Sequence, residues 1–420
     1  MFKFNFDIED PDTSALENLS LDEKPADRSG KPAHPAQGNL AAYRAHSVAD
    51  LIEKLPEVIS YTPTDIPLAS GRSLTLARRD LFDARYQLIA EADVSLPHEA
   101  AAGDNSAAAD PTRTPAFLDA PSDLVPGLYE GGLKTWECSL DLVDYLDGLK
   151  QAGEGTSSGE DQGSGWVGKR VLEIGCGTAI PSLYLLHGIF QDMRKPSEVP
   201  RTKITLQDYN ASVLELITLP NLLIAWCTFL QKRQNQVELP ISPPQGDAIP
   251  TAEPNPSVSG DIQLTPTLKA AFLSTLAERN IEVELISGSW ENILRERFQG
   301  PTSEPYDLVL TSETIYRTDS LDALIGLMRA TCAKGSEQVD ATVSAKAGTS
   351  SSATAAAPAR DLALGGKPMC LVAAKVLYFG VGGGVPDFVR AVEEGGHGRV
   401  VTVLERTKGV GRKVLRVEWS

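Results

Sequence analysis

The chain has 420 residues, 42% of them hydrophobic, and a formal charge of −17. That length supplies one large domain or two ordinary ones with ample core material. The charge argues against a general nucleic-acid binder and would attract a basic partner. Five cysteines without paired spacing read as isolated thiols and point to a reducing, intracellular setting. The opening MFKFNFDIEDP turns acidic too early for a secretory leader, and no run is expected to reach the ~18 apolar residues of a membrane span.

In chain order, residues 10–50 are rich in Pro, Ala, Ser and charge and read as mostly disordered. LARRDLFDARYQLIAE, residues 76–91, suits either a helix or a strand with flanking turns. From about residue 121 the texture changes, and Leu140, Val143, Leu146 and Leu149 recur at helical spacing. After residue 166 strands and helices alternate. RVLEIGC is a buried-strand pattern and AIPSLYLLHGIF a helix with proline in its first turn. KITLQDYN is a second strand, followed by ASVLELITLPNLLIAWCTFL, helical in parts. PTLKAAFLSTLAER is a helix and IEVELISG a third strand; YDLVLTSETIY is a fourth, with SLDALIGLMRATC as its helix. MCLVAAKVLYF is a fifth strand and GVPDFVRAVEE opens another helix. GRVVTVLER and GRKVLRVEWS close the chain as two strands with no helix between them, which predicts an antiparallel edge on an otherwise parallel sheet covered on both faces. Composition-biased stretches at 151–164, 234–262 and 336–360 read as surface insertions.

The turn EIGCGTA decides what ligand the first strand can meet. A dinucleotide fingerprint needs G-x-G-x-x-G; Gly175 and Gly177 match, but Ile180 stands at the last position. No G-K-[ST] follows, which excludes a P-loop. What remains is a turn that brings backbone close to a small adenosine-type ligand, or a tight turn that binds nothing. Glu173 at the strand end could bond a ligand amine, and Asp208 at the end of the second strand could accept both ribose hydroxyls. His187 and His397 stand apart from cysteine and acids, and no metal site is expected.

VLEIGCGTAIPSLYLL resembles motif I of class I S-adenosyl-L-methionine-dependent methyltransferases. DLVPGLYEGGLKTWECSLDLVDYL, ITLQDYNASVLELITLPNL, YDLVLTSETIY and VAAKVLYFGVGGGVPDFV together resemble, more narrowly, the protein-histidine N-methyltransferase family, over roughly residues 120–390. That resemblance implies a Rossmann-like, seven-stranded methyltransferase sheet with helices on both faces. It implies an N-terminal extension over 1–120, partly disordered, and a methyltransferase domain over 121–420. It also implies S-adenosyl-L-methionine as cofactor and methylation of one histidine in a basic large-subunit ribosomal protein of the uL3 type. A monomer in cytoplasm and nucleus, with no membrane or direct nucleic-acid site, completes the expectation. The alternatives are a protein-lysine N-methyltransferase on the same fold and a non-catalytic ribosome-assembly binding protein. The sequence departs from the superfamily's third glycine, where it carries Ala179.

Each candidate residue has a plainer reading beside it. Trp136 lies in the segment that the resemblance places by the cofactor, or is a packing tryptophan. Asn210 could meet an adenosine hydroxyl or hold its own turn. Ser289 and Trp290 would line the adenine side, and Trp290 could equally be a core aromatic. Glu313 and Tyr316, after the fourth strand, are the catalytic candidates, with Thr314, Tyr378, Gly382 and Gly383 on the substrate side. A neutral imidazole needs no strong base at cellular pH. It needs its tautomer held, and Glu313 could accept the hydrogen bond of the non-attacking N–H. The plainer reading of Glu313 is a helix cap.

Overall fold

A computed structural model describes residues 40–94, 131–154, 165–192, 194–236, 255–298, 304–332, 368–378 and 382–420. Leu40–Ser420 form one compact unit. Its elements are β1 (Arg44–His46), α1 (Val48–Glu53), β2 (Val58–Pro67), β3 (Ser73–Arg79), α2 (Leu81–Val94), α3 (Glu137–Glu154), β4 (Arg170–Ile174) and α4 (Ile180–Phe190). Then come β5 (Thr202–Asp208), α5 (Ala211–Val213), α6 (Leu219–Gln236), β6 (Gly260–Gln263), α7 (Pro266–Glu278), β7 (Ile281–Ser287), α8 (Trp290–Ile293) and β8 (Leu308–Ser312). The chain ends with α9 (Leu321–Cys332), β9 (Met369–Lys375), α10 (Val385–Glu393), β10 (Gly398–Arg406) and β11 (Arg412–Trp419).

The main sheet has eight strands in the order β1-β7-β5-β4-β8-β9-β11-β10. β7, β5, β4, β8 and β9 are parallel neighbours, and β11 runs antiparallel between β9 and β10, as the absence of a final crossover helix predicts. Successive residues of the central strands bury on opposite faces. Val171, Leu308, Leu310 and Leu371 join one core with α3, α4, α6 and α7, while Leu172, Val309, Cys370 and Val372 join the other with α8, α9 and α10. The result is the expected Rossmann-like sheet of seven strands plus one. The extra strand, β1, pairs with β7 and comes from a stretch that composition marks as disordered. Arg-Ala-His has no strong β-former; the exposed edge of β7 supplies the pairing.

A second sheet, β3-β2-β6, packs into the α3/α6 core through Ile59, Tyr61, Ile66 and Leu76. It settles the ambiguity at 76–91, which is strand up to Arg79 and helix from Leu81. It also corrects the reading of 234–262 as an insertion throughout, since residues 260–263 are β6. Most of the other two insertions lies outside the described residues.

The stretch Ala211–Leu230 is long and apolar enough to cross a membrane, contrary to expectation, but 89% of its apolar window is buried inside the protein. It bends through a π-helical turn, Leu214–Thr218, just before Pro220. Proline has no N–H to return to the Leu216 carbonyl. The buried Arg79 guanidinium donates to that carbonyl at 2.8 Å, which fastens the second sheet to the kink.

Candidate functional site

Chain order reverses direction at β4: β5 and β7 lie on one side, β8 and β9 on the other. Ligands in open α/β sheets bind outside the strand C-termini at such a point. A cavity of about 310 Å³ occupies it, within the size range of small-molecule sites. The strand order lays its wall out in a line. Ser289 and Trp290 follow β7, Asp208 ends β5, Gly175 and Gly177 follow β4, Glu313, Thr314 and Tyr316 follow β8, and Lys375 and Tyr378 come from the end of β9. Glu173 and Trp136 also line it. Asn210, Gly382 and Gly383 do not.

The turn after β4 is built for close approach. Gly175 has φ +63°, and a Cβ there would sit 2.6 Å from the Thr314 methyl. At Gly177 (φ +48°) a Cβ would lie 3.1 Å from the Gly132 carbonyl, so the GG of the EGGLKTWE stretch packs directly on the turn. Ala179 also has a positive φ, +55°, which costs an alanine roughly 1–2 kcal/mol. The missing third glycine is therefore a strained position rather than a neutral replacement. Asp208 accepts from Gly177 N–H at 3.0 Å through one oxygen and from Asn210 N–H at 3.2 Å through the other. A carboxylate accepts through both oxygens, the chemistry that ribose hydroxyls ask of a strand-end acid. Asn210 itself is buried at the start of α5, where its side chain makes no cap hydrogen bond.

Sequence reasoning missed Gln207. Its side chain accepts from Gly175 N–H and from Trp290 Nε1–H, both at 3.1 Å, and donates to the Gly288 carbonyl. One residue thereby joins the loops after β4 and β7 and fixes Trp290 in the wall. Its place beside Asp208 in LQDYN was the available signal. Ser289 caps α8 by accepting from Asn292 N–H.

Glu173 is buried and bonded to both the backbone N–H and the hydroxyl of Ser182. Burial pushes its carboxyl up to about 7, the Ser182 hydrogen bonds oppose the rise, and Asp208 adds to it. An amine arriving beside it would favour the ionised form.

At the other end Glu313 has φ +57°, strained for a residue with a side chain, and is held by its N–H on the Ala373 carbonyl. It is not a helix cap. Tyr378 donates its hydroxyl to Oε2 at 2.7 Å, while Oε1 is buried without a hydrogen-bond partner. The Ser312 hydroxyl beside it is also buried and unbonded. Burial first and the Glu313 carboxylate second raise the Tyr378 phenol, which therefore stays a donor. Tyr316 meets the Tyr378 ring edge-on at 6.2 Å. Thr314 turns its hydroxyl to Thr311 at 2.7 Å. Trp136 donates to the Gly131 carbonyl, and the ammoniums of Lys134 and Lys375 each lie 4.9 Å from its ring centre. Gly383 serves the site from outside: its Cβ would strike the Tyr316 backbone at 2.5 Å, so glycine lets this loop pack behind Tyr316. The preceding Phe379, Gly380 and Val381 lie outside the described residues.

These residues fit the sulfonium cofactor that the family resemblance implies: a backbone-close turn, a strand-end carboxylate lining the cavity, and a buried acid placed for an amine. No family model matches the chain. It is 37% identical to histidine protein methyltransferase 1 of Saccharomyces cerevisiae over 254 residues, 59% of this chain and 58% of that protein. It is 28% identical to the Schizosaccharomyces pombe protein of the same name over 89% of this chain and 84% of the relative. The Rattus norvegicus homolog is 29% identical over 71% of this chain and 59% of its own length.

The chain is thus similar to histidine protein methyltransferases over most of its length. It spans 58% of the S. cerevisiae relative's length and 59% of the rat relative's. Among solved structures, the magnesium protoporphyrin IX methyltransferase of Synechocystis with bound SAH is 10% identical. The match covers 68% of this chain and 82% of that one at a TM-score of 0.27, a level that carries no argument.

Proposed function

We propose that this protein transfers a methyl group from S-adenosyl-L-methionine to a histidine side chain of a protein, a basic large-subunit ribosomal protein of the uL3 type. The observation that carries the reading is Glu313: at the acceptor end of a cavity whose other end suits a nucleoside, it keeps one buried oxygen without a hydrogen bond. An imidazole offers the matching N–H on the nitrogen that does not attack. The similarity to histidine protein methyltransferases supports the acceptor type, and the net charge of −17 suits a basic protein substrate.

Asp208 and the turn at residues 175–177 would hold the nucleoside, and Glu173 the amino group. When bound, the cofactor would supply an electrophilic methyl group on sulfonium sulfur, with a neutral thioether as the leaving group, and the methylated ring would give up its extra proton to water. The chain's own work is alignment. Tyr378 fixes the Glu313 carboxylate, Glu313 fixes the tautomer and faces the charge that develops on the ring, and the walls exclude water.

The test is incubation of purified protein with methyl-labelled cofactor and uL3 lacking the modification, followed by peptide mass spectrometry. Label on a histidine is expected. Label on lysine rejects the acceptor assignment, and absence of label despite cofactor binding makes the protein a non-catalytic binder. Asp208→Ala should weaken S-adenosylhomocysteine binding by at least about tenfold, since it strips a charge-assisted acceptor from both loop and ligand; unchanged affinity would remove Asp208 from the nucleoside site.

A further inference from the structure

Glu313 alone would create a difficulty for the chemistry proposed above. An uncompensated buried carboxylate attracts imidazolium, the one form of histidine that has no lone pair to give. Lys375, the last residue of β9, answers it. Its ammonium lies 3.9 Å from Glu313 Oε1, beyond hydrogen-bond reach but close enough to offset the charge, and it lines the same cavity. Both side chains are sheltered, at 19% and 8% exposure, so solvent screens the pair weakly. The ammonium is further placed by the Glu137 carboxylate at 3.7 Å and by the Trp136 ring at 4.9 Å.

We propose that Lys375 is a positioning residue that neutralises Glu313 so that the acceptor imidazole enters, and stays, uncharged. Glu313 then keeps Oε1 as a hydrogen-bond acceptor without acting as a trap for the protonated ring. The other charged and titratable groups around the pair are accounted for. Glu137 is largely exposed at the start of α3, and the Cys138 thiol, which faces Glu313, is raised by burial first and by that carboxylate second, hence neutral. Tyr378 donates its proton, and Lys134 lies over Trp136. Arg412, opposite Lys375 in the β9–β11 register, is spent on Asp141 at 2.6 Å. Arg317 pairs with Asp319 at 2.6 Å.

This inference rests on the histidine reading, and its test separates the two. Lys375→Met and Lys375→Arg are compared with wild type on uL3 across pH 5.5–9. In Lys375→Met, kcat and KM should fall together near neutral pH, because the protonated ring binds unproductively while kcat/KM is little changed. The acid limb of kcat should move up by about one pH unit. Lys375→Arg should keep the wild-type limb. A second reading does not depend on turnover. An acceptor peptide titrated onto the S-adenosylhomocysteine complex should bind more tightly as pH rises from 5.5 to 7.5 in wild type, and less tightly in Lys375→Met. A fall in kcat/KM with an unmoved acid limb, or the same pH trend of peptide binding in both proteins, overturns the proposal. Wild-type label on lysine, or no label at all, overturns the histidine reading and this inference with it.

Discussion

At the β5 end of the cavity Asp208 has both carboxylate oxygens on backbone N–H groups, whereas at the β8 end Glu313 has one oxygen on Tyr378 and the other without a hydrogen bond. The first carboxylate holds loops in the shape a ligand needs. The second is partly unsatisfied, on a backbone strained to φ +57°, and under the proposed function its missing partner comes from the substrate. Loss of the first arrangement should register as lost folding and binding, and loss of the second as lost turnover with the fold intact. Local strain and unsatisfied polar groups persist only where surrounding structure over-determines them.

The largest expected effect breaks the nucleoside end. Gly175→Ala must place a methyl group 2.6 Å from the Thr314 methyl at φ +63°. It should destabilise the protein by about 2–4 kcal/mol, measured by denaturant unfolding, and abolish calorimetric binding of S-adenosylhomocysteine. Unchanged stability would mean the turn is more pliant than its contacts imply. Next comes the acceptor end, where Glu313→Ala should lower kcat about a hundredfold with cofactor affinity kept within about threefold. The reverse split would exchange the roles of the two ends.

A pH effect sharpens the contrast further. Glu173 has a folded pKa of about 7 against 4.5 for the free group, so the folded protein holds a proton that the unfolded chain loses between those values. Its contribution to stability is therefore complete below about 4.5 and lost as pH rises to about 7. Glu173→Gln should flatten that part of the stability profile. Binding of the amine-bearing cofactor should ionise Glu173 and release a fraction of a proton near pH 6.5, which calorimetry in two buffers of different ionisation enthalpy would detect. The smallest effect is at Ala179. Ala179→Gly relieves a left-handed alanine but deletes a buried methyl, so stability should change by less than about 1 kcal/mol.

Legibility divides along the same line. Asp208, at the end of β5, and Gly175 and Gly177, in the turn after β4, stand out because each belongs to a local strand-end pattern, and the strand–helix alternation from residue 166 made the sheet readable. The same logic singles out Glu313, just after β8, as a candidate. It does not single out Lys375, since MCLVAAK reads only as a buried strand until sheet order sets β9 beside β8. Gln207 looked like filler for the same reason: its work lies in three loops distant in sequence. β1 and the β3-β2-β6 sheet escaped because their pairing is decided by partners far along the chain, as β2 with β6 across some 200 residues. VISYT still carried a usable strand alternation.

β1 enters the sheet from a segment that touches the site. Leu40 lines the cavity, the Ala41 carbonyl accepts from Ser289 N–H at 3.0 Å and from Asn292 at 2.8 Å, and a Cβ on Gly288 would strike the Ala42 carbonyl at 2.6 Å. A chain lacking those residues would retain every methyltransferase motif and lose one wall of the cavity. Substitutions at residues 40–43, in a stretch that bears no motif at all, would thus be filtered by selection through cofactor affinity.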